Sequence, residues 1–320
     1  MAMNNEEIVK NYYQGIYLTE TVMGNPNGDF IDNSPRNFDG KVFTTDKCIK
    51  YNVRRYIHET VEDIQGKKNI VFFYPRLSEN AEKHDAKYQT KDTIFKEIFD
   101  NEFDELKNNS PDVRMFGGTF SFTGSDPKQI YGPIQLSYGK DINNAQIKRL
   151  QIGAPFATDN GKQTTTGSEA VVDDAIISYD VTINPNNYPG LLKEDDLELF
   201  KKSLWYGTNL RKTTSKKTDS KMLLLIKFKN KMVDNKVTAL NIGELKDLIL
   251  IKNEKERKDQ NNPIKKIEIN VEQLKIKLEK YESFIEEITI YADSSEVGIE
   301  MEIGNNKVKI MEPNVLLNGD

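Results

Sequence analysis

Four aspartates, two histidines and one cysteine are the residues whose types and spacing would carry catalysis. Asp29, Asp32, Asp39 and Asp46 crowd one stretch of the chain. Clustered carboxylates hold Mg²⁺ for phosphodiester chemistry. Asp and Asn are equally the residues of turns and helix caps, and none of the four forms an Asp-x-Asp or Glu-x-x-Asp pair. His58 and His84 are the candidates for acid–base work on RNA. His58 follows Arg54 by four residues on one helix face, within reach of a phosphate; its plainer reading is a half-buried surface histidine, and His84 lies in a charged, solvated stretch. Cys48 reads as a small core residue near a helix start, where a thiol's pKa is also open to depression. As the only cysteine it excludes a disulfide framework and a Cys-based zinc site, and it suits a reducing cytosol. No Ser-His-Asp set or dinucleotide fingerprint occurs, and Gly24-Asn25-Pro26-Asn27-Gly28-Asp29 lacks the Gly-Lys-Ser/Thr ending of a phosphate loop.

Two basic sets point elsewhere. Lys47, Lys50 and Arg54 are spaced three and four apart and share one helix face, with Arg55 beside it and Arg36 in the preceding loop. Such a face neutralises phosphates, or it is a solvated helix surface balanced by nearby acids. Arg211, Lys212, Lys216, Lys217 and Lys221 form a second patch in a Ser/Thr-rich loop. The chain as a whole has 320 residues and a formal net charge of −5. A nucleic-acid binder is usually basic, so any cationic surface here must be local. Acidic excess sits in 92–105, in 194–198 and in the C-terminal third.

The elements that must position these residues follow from periodicity and punctuation. A strand over 14–23 enters a loop of Gly, Asn, Asp and Pro, and long structured loops inside a compact domain are usually functional. A helix over 45–63 follows, with Thr44 or Thr45 as N-cap and Asp46 in the first turn. A short strand is expected at 69–74. A helical insertion over about 63–110 carries Ile94, Phe95, Ile98, Phe99 and Phe103 at helical spacing. Residues 113–122 alternate as an extended segment, and 132–138 read as a strand. Thr158-Asp159-Asn160-Gly161-Lys162 is a tight turn between extended arms, so 150–168 is expected to project as a β-hairpin. A strand at 175–183, a helix at 194–205 and a strand at 222–228 complete 1–230 as one domain. The order predicts an α+β, ferredoxin-like palm, the topology of RNA-recognition domains. Residues 231–320 read as a C-terminal α/β lobe packed on the palm, with a helix near 271–283 and strands at 285–291 and 297–310. The start, Met-Ala-Met-Asn-Asn-Glu-Glu, is neither basic nor apolar, so no secretory signal is expected. No stretch approaches the ~20 apolar residues that span a bilayer, which predicts a soluble cytoplasmic protein without a membrane partner.

With these residues in view, Asn25-Pro26-Asn27-Gly28-Asp29, Asn33-Ser34-Pro35-Arg36, Thr44-Thr45-Asp46-Lys47-Cys48-Ile49-Lys50 and Arg54-Arg55-Tyr56 resemble the N-terminal signature of a CRISPR-associated family. That family is the Cas7 backbone subunit of type I effector complexes, specifically the Csh2 and Csd2 branch of types I-B and I-C. Three segments follow in the expected order: Asp112-Val113-Arg114-Met115-Phe116-Gly117-Gly118, Gly132-Pro133-Ile134-Gln135, and Thr164-Thr165-Thr166-Gly167-Ser168. The resemblance covers about residues 14 to 230. It implies a palm of the RAMP type, a helical insertion and a β-hairpin thumb that kinks a guide RNA, in copies that form a helical filament along it.

On that resemblance Asn25, Asn27, Arg36, Thr45, Asp46, Lys47, Lys50, Arg54 and Arg55 would hold guide phosphates and sugars independent of sequence. Phe116, Gly117 and Gly118 would let RNA approach the backbone closely, with Gln135 beside them. Ile152 and Phe156 would wedge against a displaced base. Thr165, Thr166, Gly167 and Ser168 would offer backbone or hydroxyl contacts, because Glu169 stands where many relatives carry basic residues. The implied partners are CRISPR RNA, the target DNA strand paired to it, other copies of the chain and other Cascade subunits, in antiviral defence. Type I members are regarded as non-catalytic, so no catalytic residue, metal or cofactor is expected. The rival reading is a metal-dependent endoribonuclease using the loop aspartates, since related type III subunits cleave target RNA with an aspartate. A third is a structural adaptor that binds no nucleic acid.

Overall fold

In a computed structural model, which describes residues 7–78, 87–153, 166–230, 232–233, 236–237, 240–259, 261, 265–304 and 307–318, the central strand is β1 (Tyr13–Gly24). Its two faces feed different cores: Tyr17 points into one, Ile16 and Leu18 into the other. A hairpin of β2 (Asn37–Phe38) and β3 (Lys41–Thr44) turns on Asp39 and Gly40, both at positive φ, as a tight hairpin demands. It leads into α1 (Asp46–Thr60), whose N-cap Thr45 accepts the backbone N–H of Cys48.

The chain after α1 contributes α2 (Lys91–Phe99), α3 (Phe103–Asn109), α4 (Pro111–Phe116) and the hairpin of β4 (Gly117–Phe120) with β5 (Lys128–Tyr131). Phe72, Phe95, Phe99, Leu106, Val113 and Phe120 give it a small core of its own. Two expectations fail here. No strand forms at 69–74, because the N–H groups of Phe72 and Phe73 are taken by the Asp112 carboxylate (3.0 Å each) rather than by a neighbouring strand. The segment from 113 to 116 is helical, since Pro111 sits at the first helical position, where its fixed φ and missing N–H are no handicap. Arg114 then ties α4 to the next helix through paired bonds to Asp196 (2.8 and 2.7 Å).

The chain continues through β6 (Ile134–Leu136), β7 (Gly139–Asp141), β8 (Ile147–Gly153), β9 (Thr166–Ile183), α5 (Glu194–Leu210) and β10 (Thr218–Phe228). The expected strand at 132–138 is thus shorter, and the helix from 194 runs to Leu210. After two short strands, β11 (Met232–Val233) and β12 (Lys236–Val237), come β13 (Leu250–Ile251), α6 (Glu254–Arg257), β14 (Ile267–Asn270), α7 (Glu272–Glu279), β15 (Ile285–Ala292), β16 (Val297–Gly298), β17 (Val308–Met311) and α8 (Val315–Asn318). The strand expected over 297–310 is therefore two short strands.

The main sheet runs β17-β15-β10-β1-β9-β7-β3-β2, with β6 and β8 also paired to β9. Neighbours are antiparallel except β15 and β17. Eighteen residues let β9 flank β1 along one edge while β6, β7 and β8 share the other. Helices α1 and α5 cover one face through Ile49, Val53, Phe200 and Leu204. Ile242, Leu245, Ile249, Leu274 and Leu278 cover the opposite face. The C-terminal residues therefore do two things: they lay a layer on the sheet and add β15 and β17 to its edge. Among the described residues no helix is long and apolar enough to cross a membrane.

Candidate nucleic-acid interface

The loop from Asn25 to Thr45 is held by its own polar side chains. Asn27 Oδ1 accepts both the backbone N–H (3.0 Å) and the hydroxyl (3.1 Å) of Thr45. Asp29 Oδ1 accepts the N–H groups of Ile31 (2.8 Å) and Asp32 (3.0 Å), and Asp32 Oδ1 accepts that of Ser34 (2.9 Å). This last backbone bond keeps the Asp32 carboxyl below the ordinary range. Backbone rungs from Asp29 to Ser34 and from Arg36 to Asn27 (3.0 Å each) close the loop. Asp39 is a turn residue, and Asp46 opens α1 and pairs with Lys50 (3.2 Å). Among the described residues no three His, Cys, Asp or Glu side chains gather to hold a metal.

The basic face of α1 divides in two. Lys50 is buried, with Nζ 3.2 Å from both Asp46 and Gln135 Oε1 and 5.4 Å from the Phe116 ring. Burial pulls its ammonium pKa down. Arg54 donates to Asp112 (3.0 Å), and its guanidinium lies over the rings of Phe73 (5.4 Å) and Phe116 (5.2 Å). Structure thus brings Lys50, Arg54, Phe116 and Gln135 together, joined to one another where α1, α4 and β6 meet. The neighbouring glycines serve the same junction. A Cβ on Gly117, at φ +64°, would fall 2.1 Å from the Ile130 carbonyl oxygen, and one on Gly118 would fall 2.5 Å from the Phe73 ring.

The other half of the face is open. Lys47 is exposed, and Arg55 pairs with Glu59 (2.7 Å). Against this side of the helix docks the second basic loop. Ser215 accepts the Asn25 N–H (2.7 Å), and Lys216 Nζ donates to the Asn25 carbonyl (2.9 Å). Arg211 donates to Asn52 (3.2 Å), lies 3.6 Å from the Cys48 sulfur and covers the Tyr51 ring at 4.8 Å. Tyr51 stacks on Tyr74 (5.7 Å), which in turn meets His58 (4.5 Å). The Nδ1 of His58 contacts Glu62, a carboxylate also held by Arg76. Lys217 is exposed, whereas Lys212 pairs with Asp219 and Lys221 with Glu296. The two basic sets, far apart in sequence, meet around the start of α1. Tyr51 and Tyr74 did not emerge from the sequence as site residues. Tyr51 had a signal, lying midway between Lys47 and Arg55 on their face; Tyr74 had none.

The profile of CRISPR-associated protein Cas7 matches residues 11–276. The chain belongs to the Cas7 family. Among solved structures it is similar to a chain of a "CRISPR RNA-guided surveillance complex, pre-nicking", with a TM-score of 0.52 and 9% identity, covering 96% of this chain and 98% of that one. A chain of a "CRISPR RNA-guided surveillance complex" superposes with a TM-score of 0.48 at 10% identity, covering 96% and 97%. At such identity the first likeness speaks to the fold. No curated protein matches.

In this Cas7-family chain the hairpin arms are antiparallel partners from Ile147↔Val172 to Gly153↔Thr166. Ile152 lies over Gly167, whose missing side chain leaves it room: a Cβ there would come within 3.2 Å of Ile152 Cγ1. Ile152 is 46% exposed, and Thr166 and Ser168 are exposed beside it. Arg149 reaches back to Asp32 (3.6 Å), so the hairpin base and the long loop are neighbours. Phe156 and Thr165, like His84, lie outside the described residues.

Proposed function

We propose that this protein is a non-catalytic backbone subunit that binds CRISPR RNA and polymerises along it in a type I Cascade DNA-surveillance complex, of subtype I-B and the Csh2/Csd2 branch. The strand order β10-β1-β9-β7, with two helices on one face, supports reading the core as a ferredoxin-like RAMP palm, and β8 with β9 as the base of the thumb. RNA-recognition modules of this topology stack bases on the open sheet face. Here the C-terminal layer occupies that face, so the guide is assigned to the loop-and-helix surface instead.

The observation that carries the reading is the convergence of Arg211 and Lys216 on the start of α1, where Lys47 stands, next to the Tyr51 ring, with Lys217 exposed beside Gly24. Cations beside an aromatic ring suit a single strand held through its backbone, whatever its sequence. A local patch of this kind is compatible with a net charge of −5. Copies of the chain, other Cascade subunits and the target DNA strand paired to the guide are the partners, and the cytoplasm is the place of work. Asp29 and Asp32 act as turn acceptors, which supports a binding rather than a cutting role.

Binding of labelled single-stranded guide RNA across a salt series tests this. Replacing Lys47 and Lys217 by Ala should flatten the slope of log K against log salt by about 1.4, since each phosphate contact on a single strand contributes ~0.7. An unchanged slope would remove this surface from the reading. Mg²⁺-dependent cleavage of guide or complementary RNA, lost in Asp29→Ala or Asp32→Ala, would replace it with the endoribonuclease.

A further inference from the structure

Phe30 and Ile31 stand at the tip of the long loop, 97% and 96% exposed. Large apolar side chains this bare, side by side, mark an interaction surface. The tip is held in shape by the Asp29 and Asp32 turn bonds, and the Arg36 guanidinium lies 5.5 Å from the Phe30 ring. A pre-shaped loop binds at a smaller entropy loss than a slack one. Its chemistry is an apolar pair between two carboxylates, of which Asp32 also lies 3.6 Å from the exposed Arg149.

A surface of the opposite character lies elsewhere on the chain. Between α5 and the strands β15 and β17 runs a groove of about 680 Å³, floored by Leu199, Tyr291, Met311 and Leu316. Lys201, Lys202 and Lys309 stand at its rim against Glu198 and Glu287. Lys309 pairs with Glu287 and Lys201 with Glu198, both at 2.6 Å, whereas Lys202 has no carboxylate partner among the described residues and donates to the Leu317 carbonyl (3.4 Å). Tip and groove do not meet within one molecule. The loop leaves β1, three strand steps from β17, and returns at β2, seven steps away, and none of its residues lines the groove.

We propose that the loop tip of one copy docks in this groove of the next, Phe30 and Ile31 against the apolar floor and Asp29 and Asp32 toward Lys202 and its neighbours. The contact joins two different surfaces, so it repeats head to tail and does not close on itself as a symmetric dimer would. It rests on the reading that copies line up along a guide, and it supplies their protein–protein joint.

In a Cys48→Ser chain, Ile31→Cys together with Leu317→Cys should give, under oxidant, a ladder of dimers, trimers and longer chains on a non-reducing gel. Either cysteine alone should stop at the dimer. Independently, a Phe30→Ser/Ile31→Ser chain and a Lys201→Glu/Lys202→Glu chain should each lose self-association about tenfold or more in sedimentation. Mixed, they should form a 1:1 pair that grows no further. Absence of a ladder requiring both cysteines, with RNA present or absent, overturns the contact. So does a tip variant that assembles like its parent. A short RNA spanning one subunit separates the two hypotheses: the tip variant should bind it as the parent does, and a double-cysteine chain that forms the ladder without binding RNA would sink the RNA reading alone.

Discussion

At Lys50 the cation that sequence spacing offers to a phosphate is already engaged, by Asp46 and Gln135 at 3.2 Å each. Burial disfavours its charged form and sets its pKa below the ordinary 10.5. In the alkaline window beneath 10.5 the unfolded chain therefore holds this proton more tightly than the folded one, and stability contributed through Lys50 rises with pH. Lys50→Met removes that dependence. Urea unfolding of parent and variant at pH ~7.5 and ~10 should show the parent gaining on the variant as pH rises, with all shared titrations cancelling in the difference. A difference that stays flat, or runs the other way, would mean that Lys50 keeps an ordinary affinity for its proton. Arg54 carries the same lesson without a titration: it spans two rings and a fully buried carboxylate, so its charge organises the protein before it meets any ligand.

Helices α1 and α5 cross at Gly207, where a Cβ would lie 2.5 Å from the Asn52 carbonyl oxygen and 3.0 Å from Tyr56 Cβ. Gly207→Ala gains about 1 kcal/mol of helix propensity but forces backbone away from backbone, an overpacking loss of roughly 1–3 kcal/mol or more. The second effect should win, by up to about 2 kcal/mol, read as a lower urea midpoint. A raised midpoint would show that the crossing yields freely. Elements of this kind were largely legible in the sequence. The apolar run of β1, the Thr45 cap with Asp46 behind it, and the strand over 222–228 each carry their signal within a few residues. The failures were non-local. Val113-Arg114-Met115-Phe116 alternates like a strand, yet Pro111 starts a helix that Arg114 bolts to Asp196, eighty-two positions on. Residues 72 and 73 look like a strand and are held by one aspartate. The meeting of Lys47 with Arg211 and Lys216 depends on the Ser215–Asn25 bond, to which no local pattern points.

At the scale of the whole molecule, the sheet is closed on both faces, and the C-terminal layer is fastened to it by buried charge. Arg257, its side chain 3% exposed, binds Glu20 of β1 and Asp174 of β9, the latter at 2.8 Å. Lys258 donates to the Asn143 carbonyl, and Glu254 accepts from Asn144 (3.0 Å). Burial already pushes the Asp174 carboxyl up, and Arg257 is the chief counterweight. Arg257→Ala leaves Asp174 without its cation, while Glu20 keeps Lys221 at 3.2 Å; breaking a buried pair on one side costs about 3–5 kcal/mol. The variant's loss should shrink at acid pH, where Asp174 takes up a proton, because a carboxyl with a raised folded pKa opposes folding only once it ionises. Its location is the sharper test. Amide exchange in 240–259 and 265–304 should accelerate ahead of that in α1 and α5, since the helix layer keeps the packing of Ile49, Val53, Phe200 and Leu204. Acceleration of equal size on both sides of the sheet would make the two layers a single cooperative unit, with Arg257 one bond among many rather than the clasp of the C-terminal layer.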